Sequence, residues 1–186
     1  SDYEDIEEPN IDILFKHSIN EKVVAIGETG LDYFRLKGNL SWQRDRFRTH
    51  IRAAIKSKLP LIIHTRNAQD DTINIMKEEG ANSATGVMHC FTESYEMAKK
   101  AIDLGFYISF SGIITFKNAE TLRETVKKIP IENILIETDS PYLAPVPNRG
   151  KLNEPANVKY VAAQIAELKN ISIEEVAEIT TNNFFT

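Results

Sequence analysis

The sequence predicts an α/β fold whose parallel strands curl into a (β/α) barrel. Three observations predict it. Short β-branched runs alternate with amphipathic stretches along the whole chain, the signature of strands joined by covering helices. Four of the five runs end on or beside a side chain that can hold a metal ion. The chain has 186 residues, 42% hydrophobic and 26% charged, enough to enclose a sizeable core as a single domain over residues 1–186.

The elements follow in order. After an acidic opening from Asp2 to Glu8, closed by Pro9, Ile11, Leu14, Phe15 and Ile19 recur at helical spacing. Strand-like runs are expected at 22–27, 59–64, 85–89, 105–110 and 132–137, each short and rich in β-branched residues. Between them, Phe47, Ile51, Ala54 and Ile55, then Ile73 and Met76, then Tyr95, Ala98, Ala101 and Ile102, then Leu122, Val126 and Ile129 mark apolar helix faces. Two further helices close the chain. One carries Val158, Val161, Ala162, Ile165 and Leu168; the other opens with a capping box at Ser172 and Glu175. Pro155 fits the first turn of a helix.

Composition excludes several classes. Eight Gly and seven Pro are too few for a low-complexity chain, and no apolar run approaches the ~20 residues needed to cross a bilayer. The one cysteine, Cys90, cannot form an internal disulfide and reads as a small buried residue; with no targeting signal in view, the cytoplasm is the expected compartment. A net charge of −5 argues against a broad basic groove coating nucleic acid, but not against a nucleic-acid enzyme, because carboxylates that hold metal ions themselves make the charge negative.

The chemistry concentrates at strand ends. Glu28 follows the first run, His64 and His89 end the second and third, and Asp139 lies just past the fifth, while the fourth ends in Ser109 and Ser111. In an open α/β sheet only loops beside one switch point meet. Ligands from four of five strands share a rim only if the sheet curls, hence the barrel. Two imidazoles and two carboxylates suit a divalent cation, and a shared carboxylate can bridge a pair of ions. The reaction this implies is hydrolysis, with Asp139 as the candidate base. Asp32 suits either an outer-shell acid or a turn. His17 and His50, and the series Arg44, Arg46 and Arg48, fall on expected helices and read as solvated faces. Arg66, two residues past His64, and Arg149, in the polar loop 149–154, are candidates for phosphate contact.

These residues lie in the segments Gly27-Glu-Thr-Gly-Leu-Asp32, Ile63-His-Thr-Arg66, His89-Cys-Phe91, Ser109-Phe-Ser-Gly112, Glu137-Thr-Asp-Ser-Pro-Tyr142 and Arg149-Gly-Lys-Leu-Asn-Glu-Pro155. In order and spacing, from about Val23 to the C-terminus, the set resembles the TatD family of metal-dependent deoxyribonucleases, a branch of the amidohydrolase-like barrels. The resemblance implies a TIM-type (β/α) barrel with a two-metal centre. Glu28 would be the bridging carboxylate, His64 and His89 would hold one ion, and Asp139 would bind the other and serve as base. The implied activity is Mg2+-dependent removal of nucleotides from DNA 3' ends, with RNA or other esters as further substrates. Mn2+ and Zn2+ also suit the ligand set. An amidohydrolase or esterase acting on the same centre, for instance on an aminoacyl-tRNA ester, is the alternative enzyme.

One departure matters. The family begins with a His-x-His strand, and this sequence contains no His-x-His. A closed barrel takes about 250 residues and eight strands, against 186 residues and five expected strands here, so the barrel is expected to be incomplete. The chain opens at Ser1 without an initiator Met. It is expected to be either a piece of a longer protein or a truncated relative that has lost part of one metal site; the non-enzyme alternative is an inactive fragment that binds metal or nucleic acid without turnover. Open strand edges would then call for an oligomer or a complementing N-terminal segment. No membrane partner is expected.

Overall fold

In the computed structural model, residues 7–186 are described. The acidic opening therefore lies outside the described residues as far as position 6. The chain divides into two compact units: one comprises the described residues up to His89 together with Asp103–Phe106, the other Cys90–Ile102 and Tyr107–Thr186.

The first unit contains α1 (Ile11–Ser18), β1 (Ile26–Asp32), α2 (Ser41–Ser57), β2 (Leu61–Arg66), α3 (Gln69–Glu78) and β3 (Gly86–Met88). Its strands are parallel and pair in chain order, β1 with β2 and β2 with β3, as consecutive strands joined by covering helices tend to do. Helix α2 lies on β1 and α1, burying Phe47, Ile51 and Ala54 completely, while Leu61, Ile63 and Met76 complete the core. Each such large side chain contributes about 1.5–3 kcal/mol. The helix ends at Lys58, whose left-handed backbone (φ +55°) lets its N–H reach back to Ala54 and Ile55 carbonyls.

The second unit contains most of α4 (Tyr95–Asp103) and β4 (Phe106–Phe110), then α5 (Glu120–Lys128), β5 (Ile134–Ile136), α6 (Val158–Lys169) and α7 (Ile173–Phe185). β4 and β5 are parallel. Ile108, Phe110, Ile134, Val161, Ile165 and Val176 form its core, and Phe91 meets Phe110 edge to face at 6.3 Å. The capping box at Ser172 and Glu175 opens α7 as expected. Asn183 then fastens that helix by donating to the Ile131 and Ile134 carbonyls at 3.0 and 2.8 Å.

Every expected strand and helix is present, but the strand boundaries move, by a single residue at the starts of the third and fourth and by more in the others; the third ends at Met88, where its pairing with β2 ends, so His89 lies just past it. The first strand begins at Ile26 rather than Lys22, because its partner begins only at Leu61, and Val24 is 71% exposed. The second runs on to Arg66, so His64 lies inside it and does not end it; likewise Glu28 lies within β1, not after it. The fifth is only Ile134–Ile136, its expected start being a 3-10 turn at Ile131–Asn133. Two side-chain expectations also change. Arg46 is not on a solvated face: it is 7% exposed, bidentate to Glu8 at 2.7 and 2.9 Å and stacked on Trp42. His50 is largely buried, with Nδ1 2.7 Å from the Arg46 carbonyl. The salt bridge to Glu8 and the stack on Trp42 draw Arg46 inward, and the Arg46 carbonyl holds the His50 ring.

Candidate metal centre

Strand register builds the first half of the site. Leu61, Ile63 and Thr65 of β2 are buried on one face, so His64 projects from the other. His64 is paired with Gly30 of β1. Asp32, two residues beyond Gly30, shares its face, and Glu28 comes from the bulge between Ile26 and Thr29, so the imidazole lies between two carboxylates: Nδ1 is 3.3 Å from Glu28 Oε1 and Nε2 is 3.2 Å from Asp32 Oδ2. Gly30 makes this approach feasible. Its φ is +139°, and a Cβ there would lie 1.9 Å from the His64 carbonyl oxygen.

His89 joins the same group. Its N–H donates to the Ile63 carbonyl at 2.8 Å, continuing β3 against β2, and its Nε2 lies 3.9 Å from Glu28 Oε1. One carboxylate oxygen thus faces two imidazole nitrogens. Asp32 is both of the things the sequence left open: Oδ1 accepts from the Phe34 N–H at 2.8 Å in a turn, while Oδ2 orients His64. Gln43 of α2 holds the Asp32 backbone from both sides, accepting its N–H at 2.8 Å and donating to its carbonyl at 2.9 Å. Glu28 also lines a cavity of about 210 Å³ with Trp42, Arg46 and His50.

The charges reinforce one another. The His64 hydrogen bond holds the Glu28 carboxyl below its ordinary range, with burial opposing and the charges of His89 and His64 adding to the effect. Burial disfavours protonated His64, but the hydrogen bonds and charges of Glu28 and Asp32 together outweigh it and raise its pKa. These groups fit a divalent cation. Ligand atoms about 2.1 Å from one ion in tetrahedral directions stand about 3.4 Å apart, close to the Glu28–His64 and Glu28–His89 separations. A carboxylate on the far nitrogen of a ligating histidine is the usual outer-shell partner of such a site.

Asp139 belongs to the second unit. It follows β5 in a left-handed conformation (φ +56°). Before it, the Glu137 N–H donates to the Phe110 carbonyl at 3.0 Å, and Glu137 Oε2 accepts from the Cys90 N–H at 3.0 Å. Sequence reasoning passed over Glu137 as a strand terminus, although the spacing Glu-x-Asp sets two carboxylates two residues apart beyond a strand. Cys90 is half-buried, with Sγ 3.2 Å from Ser111 Oγ. The two arginines resemble each other although they lie in different units: Arg66 stacks on Phe34 at 3.6 Å, Arg149 on Phe116 at 3.7 Å, and both remain exposed.

Carboxylates and imidazoles gathered on an α/β scaffold of parallel strands make a candidate metal site of the kind barrels carry. The TatD related DNase family matches residues 2–186. The chain belongs to this family. It is 50% identical over 175 residues to the uncharacterized metal-dependent hydrolase YcfH of Escherichia coli strain K12, covering 94% of this chain and 66% of that protein. To the uncharacterized metal-dependent hydrolase YabD of Bacillus subtilis it is 51% identical, covering 96% and 70%. An uncharacterized metal-dependent hydrolase of Buchnera aphidicola is 56% identical, over 92% of this chain and 64% of the relative. The chain therefore spans about two thirds of the length of these relatives. The crystal structure of YJJV, a TatD homologue from Escherichia coli, superposes with a TM-score of 0.85 at 29% identity, over 94% of this chain and 68% of that one. These neighbours are TIM-type barrels, so the scaffold is of the barrel class, here with five strands, rather than a doubly wound sheet.

Proposed function

We propose that the chain carries the catalytic portion of a metal-dependent phosphodiesterase, a TatD-type 3'-5' exodeoxyribonuclease. The observation that carries this reading is the convergence of His64 and His89 on one oxygen of Glu28. Glu28, His64, His89 and Asp139 would hold divalent ions, two in the complete protein, of which Mg2+ and Mn2+ suit the proposed activity. When bound, such ions lower the pKa of water and neutralise charge developing on a phosphoryl group.

The chain's own residues supply the rest. Asp32, hydrogen-bonded to His64 Nε2, fixes the ring so that Nδ1 faces Glu28. Asp139 takes the proton from the attacking water. Arg66 and Arg149, held flat on Phe34 and Phe116, keep the edges of their guanidinium groups available to phosphate oxygens, with little rotamer entropy left to lose.

The test is release of nucleotides from a 3'-labelled single-stranded DNA with Mg2+ or Mn2+ and with chelator, beside Asp139→Asn. Metal-dependent release reduced about 10²–10⁴-fold in the variant is the expected result. Turnover of carboxylic esters or amides without nucleotide release would overturn it.

A further inference from the structure

The chain has eight arginines, and they sort by position. The five on helices are neutralised: Arg44, Arg46, Arg48 and Arg52 of α2 and Arg123 of α5 each lie within 3.6 Å of a carboxylate. The other three lie at or after strand ends. Arg66 ends β2, Arg35 follows β1, and Arg149 is in the loop after β5. These three pair with no carboxylate among the described residues, and each stacks on a phenylalanine instead. In parallel α/β scaffolds the carboxyl ends of the strands are where ligands bind.

Two of the three share one ring. Arg66 Cζ stands 3.6 Å from the Phe34 centroid and Arg35 Cζ 4.8 Å from the same point, so the guanidiniums are no further apart than those two distances laid end to end. The ring itself is anchored. The Phe34 N–H donates to Asp32 Oδ1 at 2.8 Å, and the Tyr33 N–H donates to the Arg66 carbonyl at 2.9 Å, which ties the turn after β1 to the end of β2. Arg35 has a left-handed backbone (φ +60°), uncommon for a long side chain, and its guanidinium returns to the ring of its neighbour. The carboxylates of this turn and of α3 beside it have other partners. Asp32 serves Phe34 and His64, while Asp71 accepts from the Tyr33 hydroxyl at 2.6 Å and pairs with Arg44.

Two exposed cations held against one ring repel each other, and an anion between them removes that repulsion. Guanidinium forks fit carboxylates and phosphates, but one fork fills the two oxygens of a carboxylate, whereas a phosphate has oxygens for two forks. Position favours phosphate as well. Arg66 follows His64 by two residues on β2, so it shares the face that carries the imidazole, about 7 Å further along the strand.

We propose that Arg35 and Arg66 form a clamp around a single phosphate group, the one next along the DNA strand from the group at the metal centre. This rests on the phosphodiesterase reading above and deepens it: the substrate is a chain with more than one phosphate, and Arg35 joins Arg66 in binding it. Phe34 is the positioning residue that holds the two forks together.

The test is the salt dependence of binding, read by fluorescence anisotropy of a 5'-labelled single-stranded decamer against the full chain, with chelator present so that no turnover occurs. Each phosphate neutralised on a single strand steepens the plot of log affinity against log salt by about 0.7. With one phosphate shared, either arginine alone still neutralises it. Arg35→Asn, which tolerates the left-handed backbone, and Arg66→Gln should each weaken binding about tenfold and leave the slope nearly unchanged; the double variant should flatten it by about 0.7. Phe34→Leu, which keeps both charges, should weaken binding about threefold at an unchanged slope. A slope that flattens by about 0.7 in each single variant, and by twice that in the double one, would overturn the clamp, because each arginine would then hold its own phosphate. Unchanged affinity in both single variants, or no binding by the wild type, would also overturn it. Metal-dependent turnover of bis(p-nitrophenyl) phosphate by the wild type separately tests the phosphodiesterase reading, so a failed clamp and a failed hydrolase give different results.

Discussion

The first unit presents Glu28, Asp32 and His64 from paired strands; the second presents its functional side chains from a loop. Asp32 and His64 owe their positions to β-register, because Gly30 pairs with His64 and alternation puts Asp32 on the imidazole's face, while a bulge between Ile26 and Thr29 presents Glu28 to the same ring. Asp139 and Arg149 have no ladder to place them. Their loop is shaped instead by Asn153, Thr115 and Gly112, which lie up to 31 positions from the loop atoms they hold. A strand-borne site is fixed by backbone pairing shared with the whole sheet, whereas a loop-borne one depends on a few side-chain hydrogen bonds. Substitutions in the first should therefore change chemistry while leaving the frame intact, and those in the second should change frame and chemistry together.

Glu28→Gln tests the strand-borne side most severely. It keeps the shape and removes the charge that faces both imidazoles, so metal affinity by calorimetry and nucleotide release should both fall, the latter by about 10³-fold or more, with a nearly unchanged melting temperature. A large loss of stability instead would show that Glu28 supports the fold.

Asp32→Asn comes next. Its carboxylate touches His64 rather than an ion, so metal affinity should drop about 10–100-fold. An effect as large as that of Glu28→Gln would make Asp32 a direct ligand.

On the loop-borne side, Asn153→Ala should cost about 1–3 kcal/mol, because the buried Asn153 serves the Thr138 carbonyl and the Asn157 amide at once. Hydrogen exchange should speed up across residues 138–153 and leave β1 and β2 unchanged. Protection lost equally in both units would mean that the loop is part of one cooperative frame.

The smallest effect concerns His50, in the first unit but outside the ladder. Burial lowers its pKa below the ordinary 6.5. The unfolded chain then binds the proton more readily than the folded one as pH falls below 6.5, so His50 costs stability on acidification and nothing above that range. His50→Gln should remove a part of the acid-side fall in melting temperature amounting to about 2 °C or less, and should not alter the melting temperature at pH 8.

Much of this was legible in the residues alone. The alternation of β-branched runs with apolar helix faces determined the α/β class. The capping box at Ser172 and Glu175 marked the start of α7 correctly. Glu28, His64 and His89 stood out because the chain has only four histidines and two of them end expected strands on the same side as two carboxylates. These signals are local: periodicity, capping and strand identity are set by neighbours a few positions away. What sequence left open was non-local. Whether Asp32 was a turn residue or an orienting acid depended on register with β2, and the answer was both. Arg46 looked solvated, but Glu8, from outside α2, pairs with it while Trp42 of the same helix stacks on it, and His50 bonds to the Arg46 carbonyl. The shape of the loop past Asp139 depended on contacts with β4's following turn and on the start of α6. Short-range stereochemistry determines which residues form which element, whereas the partners of a buried polar atom are chosen only when distant segments exclude water together.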